Sequence, residues 1–117
     1  MSKMVHKIGK LKPIKEFQGM EIEEQCRLIL LKQGYSQLYS FYDSWQEMFY
    51  EELYNEFTIV NNLIYEIIEN EDGGMHFYNA HLNDDETIDY NVMYYNGGCS
   101  LSNAIETATK NLFTEEK

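Results

Sequence analysis

Between Gln33 and Thr109 the chain has no lysine and no arginine, seventy-seven residues in a row, while fourteen aspartates and glutamates and all ten tyrosines fall in the same stretch. Mixed-sign surfaces limit self-repulsion and help solubility, so ordinary composition would put several basic residues there. Their absence disfavours free nucleic acid and anionic membrane as main partners. Cysteine is scarce as well. Cys26 and Cys99 stand far apart with no CxxC pair, which gives no disulfide framework; one bridge between them stays open, but free thiols in a reducing cytoplasm fit better. No stretch approaches the roughly 18 apolar residues of a membrane helix, and the N-terminus lacks an apolar run long enough for a signal peptide. A cytoplasmic location is expected. The single proline, Pro13, stands near Gly9, and the two discourage a long helix at the N-terminus.

The chain does have enough length, 117 residues, to bury one core. An aromatic content of 15% argues against disorder, because acidic disordered chains are poor in aromatics. The formal charge of −11 costs some compactness and speeds encounter with cationic surfaces. Residues 1–15 are the one basic region, with Lys3, Lys7, Lys10, Lys12 and Lys15 and no acid. They read as a basic N-terminal arm, mobile or loosely docked, able to touch nucleic acid or an acidic patch; residues 16–117 read as a single domain.

Helical spacing of Ile22, Cys26, Ile29 and Leu30, with Gly34 as a stop, predicts a first helix over residues 20–32. A second helix is expected over residues 36–56. At 100° per residue, Leu38, Phe41, Tyr42, Trp45, Met48, Phe49 and Leu53 gather on its core side. Tyr39, Asp43, Glu47, Tyr50, Glu51 and Tyr54 gather opposite, a stripe of three carboxylates and three phenols without a lysine. As a purely structural choice this face is costly, since like charges at i, i+4 oppose a helix by about 0.2–0.5 kcal/mol per pair. Exposed tyrosines add nothing to a core but are enriched at interfaces.

Beyond residue 56, residues 57–60 and 63–69 read as strands around an Asn61-Asn62 turn, because asparagine tolerates positive φ, with a prolongation of the second helix as the alternative. Strands are expected again over 75–82 and 87–96, the latter alternating Ile88, Tyr90, Val92 and Tyr94 on one side. A helix over residues 100–113 follows, with Leu101, Ala104, Ile105, Ala108 and Leu112 on one face and Ser100 as cap. The fold class is α+β: two N-terminal helices, a three- to four-stranded antiparallel sheet, and a C-terminal helix packed on one sheet face.

Catalytic chemistry has little support. Cys99 at a helix start, with His76 or His81, is a weak nucleophile candidate. His76 and His81 point to opposite faces of a strand and make a poor metal pair. Asp84, Asp85, Glu86 and Asp89 lack the spacing and glycine of a calcium loop. No phosphate loop, dinucleotide fingerprint or serine elbow is present, so no metal, cofactor or enzyme activity is expected.

In size, net charge, the mixture of tyrosine and acid from Tyr39 to Tyr54, and the lack of a catalytic motif, the chain resembles the small acidic inhibitors that phages encode against bacterial defence, anti-CRISPR proteins and other DNA mimics among them. Its tail YYNGGCSLSNAIETATKNLF is similar to the ends of small phage proteins. The resemblance implies an inhibitor, monomer or dimer, in the host cytoplasm, that binds a basic nucleic-acid-binding protein such as a CRISPR effector nuclease and blocks its DNA. The alternatives are an immunity protein or antitoxin neutralising a basic nuclease, or a non-catalytic phage structural or assembly protein. The expected contact residues are Tyr39, Asp43, Glu47, Tyr50, Glu51 and Tyr54, with Asp84, Asp85 and Glu86 as a second patch.

Overall fold

A computed structural model describes residues 9–70, 79–91, 101–110 and 112–113. The class is α+β, with five strands rather than three or four. In chain order the elements are β1 (Gly9–Pro13), a single 3-10 turn (Lys15–Phe17), α1 (Ile22–Lys32), α2 (Trp45–Glu52), β2 (Phe57–Val60), β3 (Leu63–Asn70), β4 (Asn79–Leu82), β5 (Ile88–Asn91) and α3 (Leu101–Thr109). The sheet order is β2-β3-β1-β5-β4 and each neighbouring pair is antiparallel. Helix α3 packs against β5 and also against both edge strands, β2 and β4, so the sheet curls around it. Helix α1 packs on β3 and against α2.

The extra strand comes from the segment expected as a basic arm. Residues 9–13 form β1, the central strand of the sheet, hydrogen-bonded on both sides. The period of two explains it: Gly9, Leu11 and Pro13 are buried while Lys10 and Lys12 face away. Gly9 leaves room for the buried ring of Tyr90; a Cβ there would stand 2.3 Å from Tyr90 Cζ and 2.4 Å from the Glu69 carbonyl oxygen. Tyr90 uses that space to donate its hydroxyl to the Glu69 carbonyl at 3.1 Å and to Asn70 Oδ1 at 2.8 Å.

The β2–β3 hairpin forms as its sequence predicts, with Asn61 and Asn62 both at positive φ, 52° and 66°. Gln25, fully buried on α1, fixes the hairpin to the helix. Its amide nitrogen donates to the carbonyls of Met20 (3.0 Å) and Asn62 (2.8 Å), and its oxygen accepts from Ile64 N–H (3.0 Å), so this buried polar group is satisfied on both sides. Cys26 lies beside it in the core; burial first, then the charge of Glu23, pushes its thiol up to about 12 and keeps it protonated. The core runs through Leu11, Phe17, Leu30, Met48, Phe49, Ile64, Ile88, Tyr90 and Ile105.

The second helix is much shorter than residues 36–56. It begins at Trp45 because Ser44 caps it: the Ser44 hydroxyl accepts the Glu47 N–H at 3.0 Å. Gly34, at φ 105°, ends α1, and residues 35–44 form an ordered connection.

Candidate functional site

The connection and α2 together carry an aromatic and acidic surface whose parts are fixed by hydrogen bonds. At the start of α2, three acceptors take the first free amides. Ser44 takes one. Glu23, reaching across from α1, accepts from Trp45 N–H at 2.6 Å and Gln46 N–H at 3.2 Å. Glu47 turns back to accept the Asp43 N–H at 2.9 Å, close to a capping-box arrangement. The connection is held from the other end of α2. Glu52 accepts the hydroxyls of both Tyr35, at 3.0 Å, and Tyr42. That hydrogen bond, ahead of burial and of the Glu52 and Glu51 charges, pushes the Tyr42 phenol up to about 12; Tyr35 is raised by burial first and by Glu52 second.

Between the two tethered phenols the rings form a chain. Tyr35 meets Tyr39 edge-on at 6.1 Å, Tyr39 meets Phe41 at 5.8 Å, and Phe41 meets Tyr42 at 4.7 Å between centroids. Phe41, expected on the core side of a long helix, is 71% exposed, because the helix does not begin until Trp45 and the projection does not apply to it.

The six residues expected as one helix stripe do not share a helix face. Glu47 and Glu51 do, one turn apart on α2 and both exposed. Asp43 precedes the cap, so the expected repulsion between Asp43 and Glu47 along a helix is replaced by a backbone hydrogen bond. Tyr39 is half-buried in the ring chain, and Tyr54, 41% exposed, follows the helix. Tyr50 turns away from them: half-buried, it donates its hydroxyl to Glu106 of α3 at 2.5 Å. Burial first and Glu106 second raise the Tyr50 phenol well above its ordinary value, and burial also raises the Glu106 carboxyl.

The second patch is differently made. Residues 84–86 lie in the β4–β5 turn, with Glu86 at φ 75°. Asp85 Oδ1 accepts from the Thr87 hydroxyl at 2.5 Å and from its N–H at 3.0 Å, which holds the carboxyl below its usual range. Lys15 pairs with Glu86 at 2.9 Å, and nearby Lys10 pairs with Asp89 at 3.2 Å. Asp84 is exposed. Of the three acids of this patch, Glu86 alone pairs with a lysine among the described residues, and Asp85 is held by neutral donors. The other ion pairs among the described residues, Arg27 with Glu24 and Lys32 with Glu16, involve α1 and its approach. No lysine or arginine pairs with Asp43, Glu47, Glu51, Glu52 or Glu56 among the described residues.

Cys99 and His76 lie outside the described residues, as do Lys3, Lys7 and Tyr94; His81 is exposed on β4, across from Asp89. Among the described residues no group of three His, Cys, Asp or Glu side chains is placed to hold a metal ion, and no helix is long and apolar enough to cross a membrane. One surface hollow, of about 430 Å³, lies between Pro13, Met20, Asn62, Tyr65, Glu86 and Phe113. Comparisons with protein-family models, with curated proteins and with solved structures return no match.

Sequence reasoning missed Glu23, Glu52, Glu106 and the exposed Phe41. One signal was present: Ser44 with Glu47 three residues on is the spacing of a capping box, and it marks the true start of α2.

Proposed function

We propose that this protein is an acidic inhibitor that binds a basic nucleic-acid-binding protein through the surface built by residues 39–56, and that it has no catalytic role. A CRISPR effector nuclease is the target that the resemblance to phage-encoded inhibitors implies. The observation that carries the reading is the way the carboxylates of this surface are satisfied. Glu52 accepts two phenols and Glu47 a backbone amide, which position these carboxylates without cancelling their charge, and among the described residues no lysine or arginine pairs with them or with Asp43, Glu51 or Glu56. Such a row offers anionic acceptors to Arg and Lys side chains built to grip a phosphate backbone. Glu47 and Glu51 stand about 6 Å apart along the helix axis, and the surrounding rings add flat contact area. The uncancelled field steers a fast encounter with a cationic groove.

The test has two stages. A tagged pull-down from the native host, read by mass spectrometry, should recover a nucleic-acid-binding protein. Affinity of the purified pair should then fall as salt rises, and the triple reversal Asp43→Lys, Glu47→Lys, Glu51→Lys should slow association at least tenfold. Recovery of no such protein, or binding unaffected by the triple reversal, rejects the reading.

A further inference from the structure

Among the described residues, Phe41 is the most exposed large apolar side chain, at 71%, against 36–43% for Met20, Leu82, Tyr54 and Ile68. It is also held in place. Its ring lies 4.7 Å from Tyr42 and 5.8 Å from Tyr39, and the chain of rings is tied at both ends, through Tyr35 and Tyr42, to the carboxylate of Glu52 on α2. A ring held outward in this way loses little freedom on binding, which is the property that makes aromatic side chains binding anchors. The ring's surroundings restrict what can cover it. Asp43 lies two residues along the chain, exposed, and Glu47 and Glu51 follow on the next turns, none with a cation among the described residues.

We propose that Phe41 is a stacking platform for an arginine side chain of the partner, so that this surface selects arginine over lysine. The inference rests on the inhibitor reading and names the chemistry of its contact. An uncharged apolar pocket closing over Phe41 would strip water from the neighbouring carboxylates and give them nothing in return. An ammonium group satisfies a carboxylate but is compact and strongly hydrated, and it exploits a ring face poorly. A guanidinium can do both, its plane lying on the ring while its fork of N–H donors serves a carboxylate of the same surface. Phosphate-gripping surfaces use both cations, so the proposal divides partners by which of the two stands at the centre of the contact.

The experiment uses oligo-arginine and oligo-lysine peptides of equal length, titrated into the full chain and read by fluorescence of Trp45, the sole tryptophan, at the start of α2. The arginine peptide should bind about threefold tighter or more, as expected for one exposed cation–π contact. Phe41→Leu keeps apolar bulk but has no π face, and should shrink the arginine preference to what the forked contact with carboxylates supplies by itself. Phe41→Tyr, which keeps a ring face and leaves Trp45 the sole tryptophan, should keep the preference. Circular dichroism confirms that each variant stays folded. Equal affinities for the wild-type chain, or a preference undiminished in Phe41→Leu, overturn the proposal and leave the inhibitor reading standing. Failure of both peptides to bind the wild-type chain sinks both.

Discussion

The β1 side of the molecule and the α2 side both carry many carboxylates, yet they balance them by different means. Around β1, acids meet cations: Lys10 sits against Asp89, Lys15 against Glu86, and Lys32 against Glu16 beside the following turn. Around α2, acids meet neutral donors. Glu52 takes two phenols, Glu106 takes one, and Glu23 and Glu47 take backbone amides at a helix start. An ion pair fixes a carboxylate and cancels its field, whereas a phenol or amide fixes it and leaves the charge in place. Formal charge alone does not separate the two sides. The partners do: among the described residues, lysines pair with Asp89, Glu86 and Glu16 on the β1 side, and none pairs with Asp43, Glu47, Glu51 or Glu52 on the α2 side.

If the β1 side is the framework, damage there should cost folding rather than binding, and Gly9→Ala is the sharpest case. The new Cβ would stand 2.4 Å from the Glu69 carbonyl oxygen and 2.3 Å from Tyr90 Cζ, on a ring that is itself fully buried. Neither a backbone oxygen in a central ladder nor a buried ring can retreat cheaply, so the cost belongs at the upper end of overpacking, about 3 kcal/mol. Urea denaturation measures it. A Gly9→Ala chain as stable as wild type would mean that β1 does not press against Tyr90 as described.

Different parts of these two sides were legible in the sequence. Local chemistry identified the hairpin at Asn61 and Asn62, the stop at Gly34 and the buried face of α1, because in each the residue types and the backbone requirement coincide. The β1 strand is hard to recognise in the sequence. Its lysines suggested an arm, and the alternation that puts Gly9, Leu11 and Pro13 inward is short and carried by weak strand formers. The acidic surface was seen by composition and misplaced by geometry. Projecting residues 36–56 as one helix put Phe41 inward and Tyr50 outward, the reverse of what Ser44 and Glu106 impose. Glu52 could not have been picked out from its neighbours, since its role depends on two tyrosines brought back to it by a non-helical connection.

Alkaline pH should act on the α2 side first, through the phenols that its carboxylates hold. Tyr42 is pushed up to about 12, and Tyr50 is raised well above its ordinary value, whereas an unfolded tyrosine titrates near about 10. Below about pH 10 both states keep the proton, and the contribution to stability is fully present. Above it the unfolded chain releases protons that the folded chain retains, so stability falls as pH rises toward the folded values. The melting temperature should therefore drop from about pH 10 upward, and more gently in Tyr50→Phe, which removes the more buried of the two groups. An identical slope in the two proteins would show that Tyr50 does not hold its proton against Glu106.

The smallest effect is expected where the two kinds of balance can be exchanged. Lys15 and Glu86 form an ion pair at 2.9 Å with both side chains 60% exposed, and such pairs contribute about 0–1 kcal/mol, less at high salt. Lys15→Met should leave the melting temperature nearly unchanged while removing the cation that counters the turn at residues 84–86. That turn would then present Asp84 and Glu86 without a lysine against Glu86, as the α2 side presents Asp43, Glu47 and Glu51. Binding of a cationic peptide should tighten slightly at low salt and be indistinguishable from wild type at high salt, because the gain is purely coulombic and screened. A gain that persisted at high salt would mean that Lys15 blocks the turn by its bulk rather than by its charge. A large loss of stability would place Lys15 in the framework, and the contrast between the two sides would then lie in structure more than in charge.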